Sequence, residues 1–187
     1  MKRTFIALPI KPGAEMVKAV SALTAYDWKA QIKWVPPEQW HFTLAFLGDT
    51  FPKTESRVKK ILQGFVSESI DPIMARFNTI GVFPVLRNPK VVWLGIEENP
   101  SLINFARRIQ QGLFEGGVLF DSKAFVPHLT VGRVRKVYDY AGFKTCFQAC
   151  RLPALAEYRL DQLIYFQSVL EKNGPSYQAL KIWSLYE

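Results

Sequence analysis

The chain holds two histidines, His41 and His128, and each is followed two residues later by a threonine, Thr43 and Thr130. The segments read HFTL at 41–44 and HLTV at 128–131. With 8 threonines in 187 residues, both histidines acquire such a partner by chance with a probability of about 0.002. Residues i and i+2 of a strand share a face, so each segment sets an imidazole beside a hydroxyl. Two such units suit in-line attack on a phosphodiester, a cyclic one above all. One imidazole takes the proton of the nucleophile, and the other delivers a proton to the leaving oxygen on the far side of phosphorus. The hydroxyls donate to the non-bridging oxygens. Imidazoles near the ordinary pKa of about 6.5 serve both roles at neutral pH.

Arg133 follows His128 by five residues. On an ideal strand it faces away from Thr130 and is a solvent-facing arginine. A bulge at Gly132 would turn it inward, to clamp a phosphate or stack on a base. A zinc site would need more ligands than the sequence groups together. Cys146 and Cys150 have an allowed spacing, but the histidines are not paired, so the cysteines read as core thiols and no metal or cofactor is expected. Walker A, dinucleotide-fingerprint and nucleophile-elbow motifs are absent, as is a clustered acidic set for two metals.

The strands that must carry these motifs are His41 to Leu47, ended by Gly48-Asp49, and HLTVGRV from His128. Phe42, Leu44 and Phe46 alternate with the chemical face of the first and read as core. Further strands are predicted in RTFIALPI, QIKWV, MARFNTIGVFP and KVVWLGI. Helices are predicted over 13–28 (Met16, Val20, Leu23, Tyr26), 52–69 (Val58, Ile61, Leu62, Phe65) and 100–114, with a short one in KTCFQAC. LDQLIYFQSVL and YQALKIWSL flank Asn173-Gly174 and read as a closing hairpin. Paired strands with helices between them favour α+β. The two histidine segments lie 87 residues apart, close to half the chain, which suggests two related halves.

The net charge is +8 and the pI about 9.5, which favours polyanionic partners, although the basic residues are scattered. No run of about 18 apolar residues predicts a membrane span. The N-terminus makes a poor signal peptide, so the expected location is cytoplasmic.

The paired motifs resemble the HxTx motifs of the two-histidine (2H) phosphoesterases. WHFTLAFLG, PKVVWLGI, FVPHLTVGRV and SVLEKNGPSY are similar to the RNA 2′,3′-cyclic phosphodiesterase branch, called LigT-like or 2′-5′ RNA ligase. The resemblance spans almost the whole chain. It implies one bilobed α+β domain over residues 1–187, with two antiparallel sheets, outer helices, a central cleft and a pseudo-twofold relation between halves. It implies His41 and His128 as the catalytic pair, and Thr43 and Thr130 as phosphate ligands. Arg133 matches the arginine after the family's second motif, at phosphate or base. The implied reaction is metal-independent hydrolysis of RNA or nucleoside 2′,3′-cyclic phosphates to 2′-phosphates by a monomer. The resemblance also implies reversible ATP-independent 2′-5′ joining of a cyclic phosphate end to a 5′-hydroxyl. By analogy His128 is the base and His41 the acid. Phe5, Pro9, Phe125 and Tyr177 are candidate base-pocket walls. An RNA-end binding module without turnover, and an enzyme opening 2′-5′ linked oligonucleotides, are the alternative readings.

Overall fold

The computed structural model describes residues 1–66, 71–171 and 174–186. In chain order it forms β1 (Lys2–Pro9), α1 (Ala14–Thr24), β2 (Ala30–Trp34), β3 (His41–Thr50), α2 (Pro52–Val66), β4 (Met74–Val85), β5 (Asn88–Ile96), α3 (Pro100–Glu115), β6 (His128–Val137), α4 (Tyr140–Ala149), β7 (Glu157–Arg159), β8 (Gln162–Glu171) and β9 (Gly174–Ser184). A single 3-10 turn, Pro37–Gln39, precedes β3.

Two sheets result, ordered β3-β1-β8-β9 and β2-β6-β5-β4-β7, with every pairing antiparallel. Each sheet holds one histidine strand, as the α+β two-sheet expectation requires. The sheets are not contiguous halves of the chain, however. β2 crosses into the second sheet, and β8 and β9 return to complete the first. Repeated chain crossing ties the lobes together, so neither sheet is built from one stretch of sequence.

The strand faces turned from the histidines are the core. Phe42, Leu44, Leu129 and Val131 are fully buried or nearly so. Phe42 of β3 stacks on Phe77 of β4 at 5.9 Å, which joins the two sheets. Burying side chains of this size contributes about 1.5–3 kcal/mol each. α3 packs on β3 and α2 on α3, while Trp28 bridges Trp34 and Phe143 of α4. Thr4, Thr50 and Tyr165, all buried, share a hydroxyl cluster with contacts of 3.1–3.5 Å.

Several boundaries differ from the sequence expectation. β3 continues through Gly48, which takes φ 66° and lets the strand bend rather than stop. α1 ends at Thr24, so Tyr26 lies beyond it and is exposed. α4 begins earlier than KTCFQAC because Asp139 caps it, its carboxylate accepting from Ala141 N–H at 2.9 Å. The three-residue β7 was too short to show a period. The predicted helix end at 67–69 and Asn173 of the predicted turn lie outside the described residues. Cys150 is buried and Cys146 partly so, both as free thiols, and burial pushes Cys150 up to about 12, which leaves it unreactive.

Candidate active site

The two histidine strands are built alike. From the histidine onward, β3 and β6 share the same burial order over seven residues, with two consecutive buried residues at the fourth and fifth positions after the first three. In each, that pair marks a β-bulge. Leu44 has no partner across β1, where Ala7 opposes Thr43 and Ile6 opposes Ala45. Val131 has none across β5, where Trp93 opposes Thr130 and Val92 opposes Gly132. An extra residue inverts the alternation beyond it. The carbonyl at each bulge is satisfied from outside its ladder partner. Leu44 O accepts from Gln110 Nε2 of α3 at 2.8 Å, and Val131 O accepts from Val35 N–H at 2.9 Å.

The inversion decides which side chains meet. In β6 it turns Arg133 to the face of His128 and Thr130, as the expected bulge near Gly132 would. In β3 it turns Phe46 to the face of His41 and Thr43, so Phe46 is not core as its parity suggested: it lines the cleft. The position that bears an aromatic ring in one half therefore bears a guanidinium in the other.

Both imidazoles are held in the same way. His41 Nδ1 bonds Gln39 O at 2.6 Å, and His128 Nδ1 bonds Val126 O at 2.8 Å, each carbonyl two residues back. A carbonyl only accepts, so Nδ1 carries the hydrogen and Nε2 is the nitrogen free to exchange a proton. Upstream of His41 the chain is fixed by Trp40, whose indole donates to Val35 O at 2.9 Å, while Ile10 N–H donates to Trp40 O.

Aromatic rings surround each histidine. His41 lies 5.1 Å from Phe5, 5.3 Å from Tyr177 and 6.3 Å from Phe166. His128 lies edge-on to Phe83 at 5.0 Å and to Trp93 at 6.3 Å, and those two rings stack at 4.9 Å. Gly81 and Gly95 make this second arrangement achievable, because a Cβ at either would collide with the Trp93 indole. Of the four candidate walls, Phe5 and Tyr177 stand in the cleft, and Pro9 and Phe125 do not line it. Phe166, Phe83 and Trp93 were missed. The alternation of LIYFQSV held the signal for Phe166, but only strand pairing brings Trp93 opposite Thr130.

A cavity of about 590 Å³ opens here. His41, Thr43, Arg133, Phe5, Phe46 and Tyr177 line it, whereas His128 and Thr130, on β6 of the second sheet, do not. The His128 charge is the smallest of the contributions that lower His41. Arg133 Nη2 donates to the Tyr177 hydroxyl at 3.5 Å, tying the arginine to the wall of the first sheet.

Electrostatics corrects one expectation. His41 is pushed down to about 4, chiefly because its aromatic surroundings desolvate the imidazolium. The Arg133 and His128 charges add to this, and the Gln39 carbonyl opposes it. His128 is also lowered by burial, against the pull of the Val126 carbonyl. The pair does not rest near 6.5. Among the described residues no three His, Cys, Asp or Glu side chains group closely enough to hold a metal ion, and no helix is long and apolar enough to cross a membrane.

The 2′-5′ RNA ligase superfamily model matches residues 15–165. The chain is 32% identical over 157 residues to an RNA 2′,3′-cyclic phosphodiesterase of Aquifex aeolicus, covering 83% of this chain and 82% of that one. It is 30% identical over 182 residues to another of that name from Methanocaldococcus jannaschii, covering 97% and 99%. Its fold is similar to TT0787 of Thermus thermophilus, with TM-score 0.75 and 25% identity over 98% and 97% of the two chains. It also matches the fold of E. coli LigT complexed with 3′-AMP, at TM-score 0.73, 23% identity, and 100% and 99% coverage. A match over most of the chain, together with relatives of full-length similarity, shows that this protein belongs to the 2′-5′ RNA ligase superfamily.

Proposed function

We propose that the cleft hydrolyses RNA or nucleoside 2′,3′-cyclic phosphates to 2′-phosphates without a metal ion. The observation that carries this reading is the matched pair: two imidazoles on bulged strands, each with Nδ1 pinned to a carbonyl and Nε2 left to move a proton. The name shared by the curated relatives supports it. Water attacks phosphorus as His128 takes its proton, and the bond from phosphorus to the 3′-oxygen breaks as His41 protonates that oxygen. The product carries a 2′-phosphate and a free 3′-hydroxyl.

The role assignment follows the family analogy: His41, lowered to about 4, is a strong donor once protonated, and His128 takes the proton of the water. Thr43 and Thr130 donate to the non-bridging oxygens, and Arg133 offsets their charge. The working unit in this reading is a monomer. A 5′-hydroxyl nucleoside in place of water, giving its proton to His128 as the 3′-oxygen leaves with the proton of His41, would give 2′-5′ joining.

The test is a product-resolved assay in EDTA across 2′,3′-cyclic nucleotides, cyclic-ended oligonucleotides and 2′-5′ linked dinucleotides. Undiminished conversion to 2′-phosphates is expected. Abolition by EDTA refutes the metal-free chemistry, and a 3′-phosphate product refutes the regiochemistry. Salt-sensitive RNA binding with no turnover would favour a binding module instead.

A further inference from the structure

We infer that Arg3, Lys33 and Arg135 form a phosphate track that holds the backbone of an RNA strand on the 5′ side of its cyclic end. This rests on the reading of the cleft as a cyclic phosphodiesterase site, and it names oligonucleotide ends as the substrate class.

The three cations line the same cavity as His41 and Arg133. Lys33 of β2 stands directly across from Arg133 of β6, and Arg135 follows two residues on, on the same face. Arg3 comes from the first sheet, its guanidinium lying 5.0 Å over Phe46. Among the described residues none of the three forms an ion pair. The cavity has one carboxylate, Glu171, which accepts from the Ser176 hydroxyl. With Arg133, four cations face one acid across a single opening.

Such a set repels itself and draws an anion. A single cyclic phosphodiester carries one negative charge, and Arg133 with the threonines answers it. The remaining three cations are in excess of that need. Arg135 is also displaced from it, seven residues beyond His128 and about 20 Å along the strand. One phosphate cannot meet both ends. Because a cyclic phosphate closes the 3′ end, any further phosphates of the same molecule lie on its 5′ side. The Lys33 side chain reaches across to the closing hairpin. Gly174 takes φ 114°, and the Lys33 ammonium occupies the space a Cβ there would need. A track built from charge alone grips backbone and does not read sequence.

Two measurements test this with Lys33→Gln, Arg135→Gln and the double variant. The first is fluorescence anisotropy of a labelled tetranucleotide ending in a 2′-phosphate, against NaCl concentration. The double variant is expected to flatten the slope of log affinity on log salt by about 1.4, two contacts at about 0.7 each. The second is kcat/KM for a cyclic-ended tetranucleotide relative to a 2′,3′-cyclic mononucleotide, a ratio expected to fall by about tenfold or more. An unchanged slope and ratio overturn the track. Equal loss on both substrates also overturns it, since the cations would then serve the reacting phosphate. Should the wild-type protein bind with the expected slope but turn over neither substrate, the track stands and the hydrolytic reading fails.

Discussion

The depressed histidines give the most demanding prediction. The proposed mechanism needs one proton shared by the pair, and His41 accepts it only near pH 4, while His128 accepts it below its ordinary value. In the free enzyme the pair holds one proton between about 4 and the lowered His128 value; that proton rests mainly on His128, the form with His41 protonated and His128 free is the minor one, and kcat/KM should still peak below pH 6.5. At pH 7 a group with pKa about 4 is protonated in roughly one molecule per thousand, against about a quarter for an unperturbed imidazole. That is a loss of about 200-fold in the protonated donor. A bound phosphate anion returns part of it, so the alkaline limb of kcat should lie at higher pH than that of kcat/KM.

Arg133→Gln should move the His41 value upward only part of the way, because burial outweighs the guanidinium as its cause. The assay is the pH dependence of both constants, alongside NMR titration of the two imidazole Cε1 protons. A His41 titration at or above 6.5, with kcat/KM optimal at neutral pH, would refute the desolvation argument. The sign of the accompanying stability change is fixed. The unfolded chain binds the proton that the folded site refuses, so folding stability should drop as pH falls from about 6.5 toward 4.

Other perturbations follow from the bulges and rings. Gln110→Ala removes the donor to Leu44 O and should destabilise the fold by about 1–3 kcal/mol if no water replaces it; a larger fractional loss in kcat than in folded protein would show that the bulge positions Thr43. Gly81→Ala places a Cβ against Trp93 and should cost about 1–3 kcal/mol in a melt, with kcat reduced through the displaced ring beside His128; unchanged kcat would mean that the ring does not position the imidazole. Tyr177→Phe removes the hydroxyl that holds Arg133 and should raise KM by a few-fold with kcat less affected, as loss of a single neutral hydrogen bond of about 1 kcal/mol implies; an unchanged KM would deny the tether.

Much of the site was legible in the primary structure because strands have a period of two and the histidine segments repeat. His41 with Thr43, and His128 with Thr130, needed only that period. Arg133 needed a bulge, and Gly132 hinted at one. Nothing in Leu44-Ala45 announced the matching bulge in β3, so Phe46 fell on the wrong face. A bulge is a property of pairing, visible only when Leu44 is found without a partner in β1. The second aromatic wall was hidden for a related reason. Phe83 and Trp93 belong to β4 and β5, and their place beside His128 depends on sheet order, which local sequence does not encode. The depressed His41 is likewise tertiary, since Phe5, Phe166 and Tyr177 arrive from three other strands.

The central claim is that the two imidazoles act as one unit on one phosphorus. The direct measurement is the rate of 2′,3′-cyclic nucleotide hydrolysis in EDTA by His41→Ala, His128→Ala and the double variant, with folding checked by thermal melts. Each single substitution should lower the rate by about 10²–10⁴. The double variant should lose far less than the product of the two losses, because residues acting as a unit are not additive. A folded single variant within about tenfold of wild type would contradict the account.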